Sequence, residues 1–506
     1  MLIGLARRAQ FARSLRSRRF AWLWSGQTIS AMGDGAFLTA LAWQVLLLTG
    51  SATAMGVALV AQSIPLVLFM LVGGVVADRL PRRLTLLWSD GGRAVVTLIV
   101  AALGFSHHLQ FWHLVALSAL FGLAEAFFRP AYQSIPPELV PVEDLPSANA
   151  LSSFTRSISM LIGPAVGAAL VAAASPAGAF AFDGLTFIIS AVCLAAMGRV
   201  DDQPHRADPP AAPPDMVRAP TAGEAVAVGA GVAGPTGAGG VVEPVAALAD
   251  AIADALAEGE LALAEANTEP AAAPTRRGGR GGRGVRGVLA DIREGLSYVT
   301  GSTWLWLTIA LASLGNVAFA PLQVSLPRLV HDTFHQGVWL LGAILTTVSI
   351  GSILATLVVG QFRRIRHRGI VGYVSLIISS ASVALFGVPL SLLGFGAVHI
   401  GGLGGPGGLP AEAALALVSG AVMGAGLGVF EIIWATTMQE LVPPDKLGRV
   451  SSVDWLGSLC LQPIGLAVVG ALTDVVGPAW MFVAGGLLSV LLTALGLLSR
   501  QIRQLD

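Results

Sequence analysis

Twelve apolar runs, each about as long as a lipid bilayer is thick, constrain this chain more than anything else in its sequence. They fall at roughly 21–48, 52–77, 84–105, 111–131, 146–173, 177–198, 303–328, 337–360, 369–393, 413–437, 447–473 and 478–499. About 20 residues of α-helix cross a hydrocarbon layer of ~30 Å. No water inside that layer can satisfy an unpaired backbone amide, so runs of this length predict spanning helices. Only 12% of the 506 residues are charged, against ~25% in a typical soluble domain. The expected fold class is therefore an all-α membrane protein with twelve transmembrane helices.

The net charge of zero is uninformative, but the placement of arginine is not. The N-terminal tail carries Arg7, Arg8, Arg13, Arg16, Arg18 and Arg19. Arginine also marks the 78–83 turn, the 361–368 turn and the C-terminal tail, and Lys446 and Arg449 mark a further turn. The intervening loops at 49–51, 106–110, 174–176, 394–412 and 474–477 have no Lys or Arg, and only Arg328 breaks the pattern. Basic loops stay cytoplasmic, so both termini are expected in the cytoplasm of a cell that holds the chain in its plasma membrane. The first apolar run is too long for a cleaved signal and is expected to remain as a helix. Cys193 and Cys460 both lie in apolar runs and imply neither a disulfide framework nor a metal site.

Residues 200–286 differ in kind: rich in Ala, Gly and Pro, they close on RRGGRGGRGVRG. Such a segment predicts a disordered or partly helical cytoplasmic linker, with an acidic amphipathic stretch inside it. The chain then divides into an N-terminal bundle with its arginine-rich tail (1–199), the linker (200–286) and a C-terminal bundle (287–506), with 287–300 a surface helix. The two bundles look like copies. Glu138-Leu139-Val140-Pro141 recurs as Glu440-Leu441-Val442-Pro443, and Trp22-Leu23-Trp24 as Trp304-Leu305-Trp306. Gly33-Asp34 aligns with Gly315-Asn316, and Phe37 with Phe319. Six spans per copy return the chain to its starting side, so the copies are parallel repeats.

Between the second and third runs stands GGVVADRLPRRLTLLWSDGGR, residues 73–93. Its Gly74, Asp78, Arg79, Arg82 and Arg83 resemble the G-x-x-x-D-R-x-x-R-R signature of the major facilitator superfamily. The following Asp90 and Arg93 resemble the branch that holds macrolide-efflux proteins and the enterobactin exporter, among drug:proton antiporters. The resemblance covers all but the tails and linker, and it implies alternating access between two six-helix bundles. It also implies that Asp78, Arg79, Arg82, Arg83, Asp90 and Arg93 help to switch the open states. Arg129, expected to reach Asp78 or Asp90, and Arg156 would complete a cytoplasmic charge cluster. Plain structural pairing is the competing reading for these charges. In the fifth run, Gly163, Pro164 and Gly167 resemble the G-P-x-x-G-G pattern of proton-driven exporters, with Ala168 in place of the last glycine. A proline without a backbone donor, followed by glycine, also permits a bend and close packing.

Ionisable residues within spans are costly and so are candidates for function. Asp34 is central in the first run, between Gly33 and Gly35. It is expected to carry a proton or touch substrate, unless it only anchors a neighbouring helix by hydrogen bonding. Glu125 lies one turn from Arg129 and shares its face; a mutually neutralising Glu125–Arg156 pair is an alternative to a direct role. Asp183 is placed nearer a membrane face. Trp24, Phe37, Asn316, Phe319 and Trp434 are the candidates to line a substrate cavity, although such aromatics also face lipid.

No nucleotide loop, zinc signature or nucleophile elbow occurs, so no enzyme is expected and no cofactor is implied. The expected function is proton-coupled export of an amphipathic small molecule, such as a drug, siderophore or secondary metabolite. An importer or facilitator of a small solute, or a transport-inactive membrane sensor, are the alternatives. The partners expected are the small-molecule substrate, protons and the lipid bilayer, with no nucleic acid, and a monomer.

Overall fold

A computed structural model describes residues 13–198, 295–359, 361–362, 365–388, 399–400 and 409–505. The linker at 200–286, the surface-helix residues 287–294, and Arg363 and Arg364 lie outside these residues, as do the side chains of Asp78 and Arg79.

The N-terminal half contains α1 (Arg18–Thr49), α2 (Ala52–Arg79), α3 (Arg82–Phe105), α4 (Phe111–Ser134), α5 (Leu145–Ala173) and α6 (Pro176–Ala196). The C-terminal half contains α7 (Thr303–Val324), α8 (Val338–Val359), α9 (Arg368–Leu385) and α10 (Ala411–Leu441). It ends with α11 (Pro444–Leu459), α12 (Gln462–Val476) and α13 (Pro478–Gly496). Among the described residues, twelve spans are long and apolar enough to cross a membrane, with α11 and α12 sharing one of them. A two-residue antiparallel pairing, β1 (His399–Ile400) with β2 (Leu409–Pro410), decorates the connection from α9 to α10.

Local signals set the ends. Ser17 caps α1 by accepting from the Phe20 amide, and its hydroxyl donates to the Leu139 carbonyl at 2.8 Å. Gly50, at φ 62°, closes the other end in the left-handed region, where its amide donates back to Leu46. Two ends depart from the sequence expectation. The seventh span continues past Pro321 through Leu326–Arg328 and a wide turn at Leu329–Thr333. The eleventh breaks after Leu459 and restarts at Gln462, because Pro463 in the first turn of α12 has no amide to continue the ladder.

Neighbours repeat between the halves. In the first, α1 packs on α5 and α6, α2 on α4, and α3 on α4 and α6; in the second, α7 packs on α11, α12 and α13, α8 on α10, and α9 on α10 and α13. The halves meet through α5 on α8 and α2 on α12, again a matched pair. The recurrent glutamates of the two Glu-Leu-Val-Pro segments have matched partners too: Arg82 pairs with Glu138, and Arg368 with Glu440. Two parallel repeats of six spans describe the molecule.

Packing follows the rules of a lipid solvent. Large apolar side chains face outward, among them Leu68, Trp112, Val475 and Trp480. The fully buried positions include Thr97, Ser190, Ser379, Ser380 and Thr473. Small and hydroxyl-bearing residues let helix backbones approach and hydrogen-bond where no hydrophobic force draws helices together. At Gly163 a methyl would lie 2.8 Å from the Cα of Gly35, so α1 and α5 touch backbone to backbone.

Candidate functional site

Between the halves lies a cavity of about 590 Å³. Its walls come from α1, α2, α4 and α5 on one side and from α7, α8 and the turn at Pro327 on the other. Phe37, Leu38, Met55, Leu59 and Phe121 make it largely apolar, and Asp34, Gln62, Glu125, Arg129, Arg156 and Gln323 supply the polar groups. The size and composition suit a drug-sized amphipathic molecule.

Asp34 reaches the wall because α1 carries it at mid-helix, with its side chain 39% exposed, to the cavity. Its Oδ1 lies 3.8 Å from Nη1 of Arg93. Arg93 is buried on α3 and donates from Nη2 to Asp90 Oδ1 at 2.5 Å. The other Asp90 oxygen accepts from Ser190 (2.7 Å) and Gln27 (3.3 Å), so this fully buried carboxylate is held by three side chains. The Arg93 guanidinium stands 4.3 Å and 4.4 Å from the ring centres of Phe128 and Phe187, and 5.8 Å from that of Phe121. Phe121 in turn stacks on Phe37 at 4.8 Å, and both rings line the cavity. One arginine thus connects the exposed acid, the buried acid and the aromatic wall.

Of the expected cytoplasmic charge cluster, the Arg129–Asp90 pair does not form, and a pairing of Arg129 with Asp78 lies outside the described residues. Asp90 and Arg93 point into the half and pair with one another, away from the turn. Arg129 bonds Glu125 on its own helix at 2.6 Å, so it is not the partner of Asp90. Among the described ion pairs Glu125 does not meet Arg156, which donates to Ser153 Oγ at 3.4 Å. Arg82 holds Glu138 and the Ser134 carbonyl, while Arg83 donates to the carbonyls of Leu194 and Ala195. Both arginines therefore tie the turn to α4 and α6 of their own half.

Gly163 and Gly167 are spent on α1, against Gly35 and Ala36, whereas Pro164 faces α8. Pro164 has no amide to offer the Met160 carbonyl four residues back. Ser349 of α8 supplies that donor from the other half, at 2.7 Å, and Thr346 donates to the Leu161 carbonyl at 3.3 Å. Of the aromatic candidates, Phe37 lines the cavity and Trp434 a smaller pocket. Trp24 is instead tied by its indole to the Leu151 carbonyl (3.1 Å), Asn316 donates to the Ser458 carbonyl (2.9 Å), and Phe319 packs into the core. Trp24 and Asn316 thus serve contacts within their own halves.

Two further acids, Asp183 and Asp474, have surroundings that the sequence did not announce. Asp183 is fully buried on α6, and a methyl on Gly33 would stand 2.5 Å from its Oδ1. Neither of its side-chain oxygens has a hydrogen-bond partner among the described residues. Asp474, at the end of α12, accepts from Ser51 Oγ (2.5 Å) and from the amides of Ala52 (2.8 Å) and Thr53 (3.0 Å). It thereby caps α2 of the opposite half, and Arg328 pairs with both Asp474 and Asp332. The one arginine that broke the loop pattern is thus neutralised.

Two matched bundles of membrane-spanning helices, closed around a cavity with charged and aromatic walls, define a membrane transporter. A family model described as Major Facilitator Superfamily matches residues 23–453, and the chain belongs to that superfamily. It is 20% identical over 489 residues to macrolide efflux protein A of Streptococcus pyogenes, covering 96% of this chain and 97% of the relative. It is 24% identical to the multidrug efflux pump Tap of Mycolicibacterium fortuitum, covering 94% of each. A shorter match, 32% identical over 170 residues, links 34% of this chain to 42% of the putative bacilysin exporter BacE of Bacillus subtilis. Among solved structures, a bacterial homologue of the iron transporter ferroportin in an inward-facing state superimposes with a TM-score of 0.59 at 13% identity, covering 95% of this chain and 98% of that one. A POT family transporter in complex with 5-aminolevulinic acid gives 0.62 at 12% identity, with 96% of each covered. At such identity these structures speak for the fold alone.

Proposed function

We propose that this protein is a proton-driven exporter of amphipathic small molecules, working by alternating access across the plasma membrane with both termini in the cytoplasm. The observation that carries the proposal is the position of Asp34, on the cavity wall and within 3.8 Å of the buried Arg93. A charged Asp34 attracts Arg93; a protonated one releases it to Asp90 alone. Arg93 also lies against Phe121 and Phe187, so the proton on Asp34 bears on the aromatic wall that a substrate would touch. A substrate and a proton then compete for one state of the same site, which is the requirement for exchange. The efflux names of the relatives support the outward direction.

The closest approaches between the halves support a resting state that opens toward the face bearing the termini. Asp474 on the start of α2, Leu466 beside Gly56 and Ala168 beside Gly342 all sit toward the opposite face. There the cavity would be shut from outside and able to receive substrate from the cytoplasm.

The test is pH-driven uptake of a fluorescent amphiphile into inverted membrane vesicles. Wild type should accumulate it when the lumen is acidified. Asp34→Asn, a permanent stand-in for the protonated acid, should lose accumulation while downhill exchange continues. Full accumulation by the Asn variant would leave Asp34 as a mere anchor and remove the proton-carrier assignment.

A further inference from the structure

We infer that the C-terminal half carries a separate subsite for an alkylammonium headgroup, built from Asp454 and the rings of Phe430, Trp434 and Trp455. Those residues, with Thr308 and Ser458, line a pocket of about 190 Å³ between α7, α10 and α11. That is too small for a whole drug-sized molecule, which occupies ~300–1,000 Å³, but it is ample for a charged head with its body left outside.

The chemistry of the lining is selective. Asp454 is fixed by the Trp434 indole, which donates to its Oδ2 at 3.1 Å. Among the described residues no basic side chain lies within ion-pair distance of it, so its charge is not compensated from within the fold. Trp434 stacks on Phe430 with 6.1 Å between ring centres and meets Trp304 edge-on at 5.8 Å, which makes a rigid aromatic wall. An acid set among aromatic rings attracts a soft organic cation through its charge, and the rings add their quadrupoles where a face is open to the guest. A cation already exploits one of these rings, since the Arg129 guanidinium stands 6.0 Å from the centre of Trp455. Glu125 neutralises that arginine at 2.6 Å, so it does not repel a guest from the pocket.

Arg129 also lines the main cavity, so a route between the cavity and the pocket would run past its contact with Trp455. A ligand with its head on Asp454 can lay its apolar body along this route. The assigned substrate class is therefore the amphipathic organic cation, an assignment that rests on the export reading; binding to the pocket does not.

Binding to the purified full-length protein separates the two. The ligands are a phenylalkyl trimethylammonium and its neutral tert-butyl isostere, with dissociation constants read from tryptophan fluorescence and calorimetry. Wild type should bind the cation about tenfold more tightly than the isostere. Asp454→Asn should remove most of that preference and leave isostere affinity unchanged, while Asp454→Glu should retain most of it. Equal affinity of wild type for the two ligands overturns the subsite without recourse to any variant, as does an undiminished preference in Asp454→Asn. A charge preference in a protein whose vesicles transport nothing keeps the subsite and sinks the exporter; transport without a preference does the reverse.

Discussion

Asp90 and Asp183 are two acids buried to the same degree in the same half, and their surroundings could hardly differ more. Asp90 accepts from Arg93, Ser190 and Gln27, whereas neither oxygen of Asp183 is hydrogen-bonded among the described residues. Breaking a buried ion pair costs about 3–5 kcal/mol, and replacing Asp90 leaves Arg93 only the more distant Asp34, at 3.8 Å. Asp90→Asn should therefore lower the thermal midpoint of the purified protein sharply, or reduce its yield from membranes. Asp183→Asn exchanges one neutral-compatible shape for another and should shift that midpoint little. Similar midpoints for the two variants would show that the Asp90–Arg93 network does not hold the half together. Part of this was legible: the three-residue spacing of Asp90 and Arg93 puts them on one helix face. That the face turns inward, toward Gln27 and Ser190, depends on the rotation of α3 against α1 and α6.

At the scale of helices, the instructive contact is the capping of α2 by an acid from the other half. The first amides of any helix lack partners within it, and an acid there satisfies them and favours the positive end of the helix dipole. Here Asp474 is that acid, and it must leave when the halves separate on this face. Losing a cap costs ~1 kcal/mol, somewhat more when the bonds are charge-assisted. Asp474→Ala should thus favour the state open at this face by roughly five- to thirtyfold. Spin labels at Thr49 and Val475 should report a longer distance population that grows in the variant. An unchanged distribution would mean that Gly56 and Gly342 packing alone keeps the face closed. Ser349 illustrates the same dependence from the opposite direction. Pro164 announces in the sequence that a carbonyl is left free, yet only the packing of α8 on α5 says which hydroxyl takes it.

For the whole molecule, the asymmetry of arginine predicts where the long 200–286 segment lies. With Cys193 and Cys460 replaced by serine, a single cysteine at Ala230 should resist a membrane-impermeant thiol reagent in intact cells and react after permeabilisation. Prompt labelling of intact cells would invert the topology, and with it the direction of transport.

What the sequence determined by itself is the set of spans, their number, the repeat and the expected orientation. Each is imposed by the bilayer on a stretch of consecutive residues: length by hydrocarbon thickness, composition by the absence of water, orientation by charge in the turns. The same holds for pairs on one helix, such as Glu125 with Arg129, because a fixed pitch converts spacing into proximity. The tertiary structure alone decided which polar groups meet between helices. Asp34 with Arg93, Asp474 with the start of α2, Ser349 with Met160, and Trp434 with Asp454 are each separated in sequence by a distance that carries no information about contact. They are brought together by helix rotation and by approaches at residues as small as Gly35 and Gly163, where a difference of one methyl would move an entire helix.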